Sequence, residues 1–231
     1  MEWIILQVYI YNNSTGKIEK YQRELNEPMP YTSDKYLTVR EFRGSSNSPL
    51  VWSDRRALET FDKFRKSYGK PIPFGFAFKR IWEGGHGTQS QHYAGTAFDV
   101  GQALSADERN RLRELARAFG EWSYVEPASL TPTWVHLDKR LSPPACPGGG
   151  YISLSQGMKG VYVLVLQDAL NALGYKTGGL DGIFGNATKE AVANFQRANG
   201  LAGDGIVGCA TWRALTQKVK GMGKTPTVIM G

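Results

Sequence analysis

Three side chains have the types and spacing to hold a divalent metal. His92 and Asp99 lie seven positions apart in SQHYAGTAFDV (90–100), and His136 follows in TWVHLD (133–138). Two imidazoles and a carboxylate form the ligand set of a catalytic zinc site with one position open for water. Such a site acidifies water and polarises a carbonyl. Gly95 and Ala97 leave room for the chain to turn between His92 and Asp99. Of the chain's 3 histidines, two fall in this setting and the third, His86, sits in a glycine-rich loop, 83–88, where it reads as exposed or as an assistant to the site. Spacing alone admits either a zinc site or satisfied polar groups near a strand end.

Other elements must bring these residues together. Residues 1 to about 30 read as a hairpin, with an alternating first strand turning at 12–16. Residues 37–42 read as a short strand or extended segment, and 43–49 as loop. Ser53 is placed to cap a helix that buries Ala57, Phe61, Phe64 and Tyr68 and ends at Gly69. Residues 72–80 read as a buried strand that delivers Arg80 to its end. Ser105 and Glu108 form a capping box for a helix burying Leu112, Leu115, Ala116 and Phe119, with Arg109, Arg111, Arg113 and Arg117 as its solvated face. Residues 121–126 and 133–137 alternate as strands leading to His136.

The stretch LSPPACPGGG (141–150) has linker composition. Beyond it, DGIFGNATKEAV (181–192) recurs as DGIVGCATWRAL (204–215), each copy a tight Asp-Gly turn followed by a helix start with a short polar cap. A further helix carries Val163, Leu166, Leu170 and Leu173 on one face. The second domain is therefore a small bundle of about three helices, with a frayed tail from Lys218.

Composition sets limits. With 231 residues, 41% hydrophobic, the chain can fill a packed core. A net charge of +7 suits an anionic partner such as an acidic wall polymer. No run of Lys and Arg interleaved with aromatics points to nucleic acid, and no apolar run is long enough to span a membrane. Cys146 and Cys209 read as two free thiols or as a single disulfide. The apolar start lacks the basic region and cleavage site of a signal peptide.

Ser90-x-His92-x-x-Gly95-x-Ala97-x-Asp99, followed by Trp134-Val135-His136, resembles the zinc D-alanyl-D-alanine carboxypeptidases and peptidoglycan L,D- or D,D-endopeptidases, whose metal fold is shared by hedgehog signalling domains. The likeness covers roughly residues 37–140. It implies that His92, Asp99 and His136 bind zinc. Many members place an acid three residues before the last histidine; Thr133 stands there and cannot take a proton. WSYVE (122–126) resembles the hedgehog stretch carrying the equivalent glutamate, which makes Glu126 the implied general base, with Asp138 in reserve. Arg80 resembles the family's substrate arginine, and Ser90 is expected to orient the loop or substrate. Residues 151–219 resemble the three-helix peptidoglycan-binding domain of wall hydrolases through Gly160, Leu166-Gln167, Asp181-Gly182, Phe184, Phe195-Gln196 and Trp212; Gln167, Phe184 and Gln196 are its candidate contact residues.

The expectation is an α+β zinc peptidase domain at 1–140 (antiparallel sheet with helices), a linker at 141–150, a three-helix all-α domain at 151–219 and a tail at 220–231. A monomer is expected; the resemblance implies that it binds peptidoglycan stem peptides and glycan, and its charge suits anionic wall polymers. It would cut stem or cross-link peptides as a D,D-carboxypeptidase or as an L,D- or D,D-endopeptidase. The alternative is a catalytically inactive, metal-containing wall-binding protein. Action at the bacterial wall without a recognisable signal peptide implies release by lysis or non-standard export.

Overall fold

The computed structural model describes residues 5–33 and 37–222. The expected start of the hairpin at 1–4 and the tail from 223 lie outside them. Strand β1 (Ile5–Asn12) alternates along ILQVYIYN and buries Leu6, Val8 and Ile10 on one face. It pairs antiparallel with β2 (Lys17–Glu24). Where an extended segment was expected, α1 (Val39–Arg43) forms instead. Thr38 and Glu41 close a reciprocal capping box, with Thr38 N donating to Glu41 Oε2 at 2.8 Å. That satisfies the first amides of even a short helix.

Strand β3 (Leu50–Asp54) runs parallel to β1, giving the sheet order β2-β1-β3. Helix α2 (Arg55–Tyr68) starts one residue later than expected. Asp54 caps it, accepting from Arg56 N at 2.9 Å, while Ser53 stays in the strand and donates to Gly95 O at 2.7 Å. The second sheet is antiparallel, in the order β4 (Phe74–Phe76), β5 (Ala97–Val100), β7 (Val135–Asp138), β6 (Tyr124–Val125). β4 is shorter than the expected strand, and Arg80 precedes a 3-10 turn at Ile81–Glu83. Helix α3 (Ala106–Phe119) has the expected Ser105 cap. Its faces differ from expectation: Leu115 is 50% exposed and Arg113 only 2%.

The C-terminal part comprises α4 (Val161–Ala172), α5 (Asn186–Ala198) and α6 (Cys209–Gly221), so residues 218–221, expected in a frayed tail, belong to α6. The chain is thus α+β, with a helical C-terminal part. The repeat has a physical basis. Gln167 Nε2 reaches Asp181 Oδ1 (2.7 Å), Ile183 O (3.1 Å) and Thr188 Oγ1 (3.2 Å), while its Oε1 accepts from Gly182 N (2.9 Å). Gln196 binds Asp204, Ile206, Thr211 and Gly205 in the same way. Each buried amide thereby satisfies one Asp-Gly turn and the helix after it. Gln167, Phe184 and Gln196 are buried, which removes them as contact residues. The helix caps are Gly185 and Gly208, neither of which makes a side-chain cap.

Residues 141–150 are not a free tether. Cys146 and Cys209 form a disulfide. Tyr151 is fully buried, and its hydroxyl donates to Ser90 O at 2.7 Å. Tyr162 on α4 donates to Gln91 Oε1 at 2.7 Å. Deeper in the same interface, Arg80 Nε donates to Asp168 Oδ2 at 2.9 Å, and its guanidinium lies 4.9 Å from the Trp52 ring and 5.5 Å from the Trp82 ring. Arg80 is 1% exposed and Asp168 2%. Replacing Asp168 by alanine leaves a buried guanidinium without its counterion, so stability should fall by about 3–5 kcal/mol. Urea unfolding measures this; a loss under about 1 kcal/mol would show that water reaches Arg80.

Candidate metal centre

Sheet register places the acidic and imidazole groups. Asp99 on β5 is paired with His136 on β7, and one step further Glu126 N donates to His136 O at 3.0 Å. Directly opposed residues of antiparallel strands project from the same face. A single row across the sheet therefore carries Asp99, His136 and Glu126. His92 comes from the turn before β5. That turn is held against β3, where Trp52 Nε1 donates to Tyr93 O at 3.0 Å. Gly95 adopts φ +67°, and a Cβ there would meet Trp52 O at 2.0 Å. Only glycine allows this approach.

The three candidate ligands converge. One donor atom from each of His92, Asp99 and His136 lies within 4.8 Å of the others. His92 Nε2 is 3.2 Å from Asp99 Oδ2, and His136 Nδ1 is 2.7 Å from Asp99 Oδ1. Donors about 2.0 Å from a tetrahedral zinc ion stand about 3.3 Å apart, so the set fits such an ion. The outward nitrogens are committed elsewhere. His92 Nδ1 lies 2.9 Å from Ala77 O, and His136 Nε2 lies 3.1 Å from Asp138 Oδ2. These contacts fix both rings so that the opposite nitrogens face the shared centre.

Charge follows the same plan. Burial alone would raise Asp99, but hydrogen bonds from His136 and His92 outweigh it and hold the carboxyl well below its usual range. Burial would lower His136; hydrogen bonds to Asp138 and Asp99 push it up to about 9. Asp138 is lowered despite its burial by hydrogen bonds from Arg140 and His136. Burial, followed by the neighbouring His92, brings His86 down to about 4.

The triad opens into a cavity of about 520 Å³, also lined by Glu126, His86, Trp134 and Arg140. His86 is half-buried rather than free in solvent, its ring centroid 4.6 Å from that of His92. Ser90 lines the cavity, and its hydroxyl accepts from His92 N at 3.3 Å. Asp138 is fully buried and serves His136 and Arg140, accepting from Arg140 Nε at 2.8 Å. Thr133 is exposed. Arg80 does not line the cavity: its guanidinium is the buried partner of Asp168.

Residues 159–215 match the family described as "Putative peptidoglycan binding domain". The chain belongs to the proteins that carry this peptidoglycan-binding domain. It is similar to the zinc D-Ala-D-Ala carboxypeptidase of Streptomyces albus G, 46% identical over 69 residues, which are 28% of this chain and 26% of that protein. It is similar to the N-acetylmuramoyl-L-alanine amidase CwlL of Bacillus licheniformis, 41% identical over 80 residues, 32% of this chain and 22% of that one. An uncharacterized protein of Kitasatospora aureofaciens is 43% identical over 83 residues, 34% of this chain and 70% of that one. The alignments thus span about a quarter or less of the two named enzymes.

Two arginines at the site escaped the sequence reading. Arg113 on α3 donates to Thr131 O and Trp134 O, and so fastens the loop that leads into β7. Its spacing three residues before Ala116 was the available signal. Arg213, from the peptidoglycan-binding domain, lines the same cavity as the candidate ligands; nothing in the local sequence points there.

Any metal must displace the proton that His136 carries below pH about 9. Zinc affinity should therefore rise between pH 6 and 9, by up to about tenfold per unit, and level off above. Competition titration with a chromophoric chelator measures it; a flat profile would contradict the assignment of His136.

Proposed function

We propose that this chain is a zinc-dependent peptidase of peptidoglycan, cutting stem or cross-link peptides as a D,D-carboxypeptidase or an L,D- or D,D-endopeptidase. The observation that carries the reading is the row Asp99–His136–Glu126 with His92 facing it, at the floor of an open cavity. Two imidazoles and a carboxylate match zinc, and a similar protein is named for zinc. A zinc ion bound there supplies a Lewis acid that polarises the scissile carbonyl and acidifies water.

The protein's own groups do the rest. Glu126 accepts a proton from the attacking water as its oxygen joins the carbonyl carbon. The same carboxyl then returns the proton to the amine as the C–N bond breaks. Asp138 stays ionised beside Arg140 and holds the His136 ring, which leaves Glu126 as the base. Ala77 O holds the His92 ring in the same manner. Arg140 lines the cavity with its guanidinium anchored by Asp138, whereas Arg80, expected there, is the buried partner of Asp168. The peptidoglycan-binding domain keeps the wall within reach, and the +7 charge favours an anionic wall.

Glu126→Gln should lower kcat on muropeptides by about 10²–10⁴-fold while zinc stoichiometry stays at one per chain. Kinetics and metal analysis of both proteins test this. Unchanged turnover would remove Glu126 as the base. A zinc-loaded parent with no turnover on any muropeptide would make the chain a wall-binding protein without catalysis.

A further inference from the structure

The cavity that holds the metal ligands is built by both halves of the chain. Cys146 and Gly148–Gly150 form part of its wall, and Arg213 on α6 reaches the same space. The disulfide sets this arrangement. Cys209 opens α6 and is bonded to Cys146 on the cavity wall. Arg213 follows Cys209 by four residues, which puts the two on one face of the helix. The helix itself is fixed: Trp212 is fully buried and donates to Ile152 O at 2.8 Å, and Thr211 is held by Gln196 at 3.0 Å.

The charges lining this space are unequally matched. Glu126 and Asp99 face the metal end, with Asp99 hydrogen-bonded to both histidines. Arg140 is committed to Asp138. Arg213 has no hydrogen bond or ion pair among the described residues. An exposed guanidinium fork without a counterion, on the wall of a cavity of about 520 Å³, has the chemistry to bind a carboxylate.

We infer that Arg213 is a specificity residue, supplied by the wall-binding domain, which binds a free carboxylate of the peptide held in the metal cavity. This rests on the peptidase reading for the identity of the peptide. It makes the C-terminal domain a wall of the active site as well as an anchor. Substrates would be stem peptides with free carboxylates, and amidated stems would be handled poorly.

The test uses the full zinc-loaded chain and two probes: a muramoyl stem peptide with its carboxylates free, and the same peptide with them converted to carboxamides. Binding is measured by calorimetry and cleavage by chromatography. The parent should prefer the free acid by about tenfold in binding and in kcat/KM. Arg213→Ala should abolish that preference through KM, with kcat on the amidated peptide unchanged, and Arg213→Lys should restore part of it. Pelleting with intact sacculi should not change in either variant.

Preference retained in Arg213→Ala, or absent from the parent, overturns the inference while leaving the peptidase reading intact. Loss of sacculus pelleting with unchanged peptide preference also overturns it, because Arg213 would then serve the wall-binding surface. Absence of cleavage with a carboxylate preference that disappears in Arg213→Ala sinks the peptidase reading and leaves the carboxylate site standing.

Discussion

The register between β5 and β7 is the constraint on which the site depends. Pairing Asp99 with His136 sets a carboxylate and an imidazole side by side on one sheet face. A slip by one residue would turn His136 to the other face and destroy the arrangement. The register is held by burial: Phe98, Val100, Val135 and Leu137 are all inaccessible and fill the opposite side. The apolar alternation of two four-residue strands thus specifies the geometry of a polar centre. Asp138, two residues beyond His136, then fixes the ring it neighbours.

The second constraint joins the two halves. Three contacts of different chemistry cross the boundary: a disulfide, a buried guanidinium–carboxylate pair and the hydroxyls of Tyr151 and Tyr162 on the turn that carries His92. Tyr151 reaches Ser90 O, two residues before His92. The helical part therefore buttresses the loop that carries the candidate ligand His92. A buried ion pair is costly to desolvate and adds little net stability over an apolar pair, but it tolerates few alternative arrangements. Arg80, which lies over the Trp52 and Trp82 rings, and Asp168, which accepts from Trp82 Nε1, fit a role in fixing the relative placement of the halves.

Legibility followed the range of the interaction. The Ser105 capping box, the three C-terminal helices and the hairpin depend on neighbours within a few residues, and the sequence displays them. The candidate ligands were legible through a spaced motif of unusual residue types. Arg80 was not: its position in the motif suggested the cavity, whereas its partner lies 88 residues on, in another part of the chain. Cys146 and Cys209 posed the same problem over a separation of 63 residues. Gln167 and Gln196, read as candidate contact residues, are each buried because an Asp-Gly turn needs an amide to satisfy it. Residues 37–42 carried too little periodicity to distinguish a strand from a one-turn helix stabilised by Thr38 and Glu41.

The most direct test of the account is mass spectrometry of purified peptidoglycan digested by the zinc-loaded protein, beside the same protein stripped of metal. The account predicts new amine and carboxyl termini within stem or cross-link peptides, with intact glycan strands, in the zinc-loaded digest alone. Fragments cut in the sugar chain or between the sugar and the first amino acid would contradict it, as would equal release without metal.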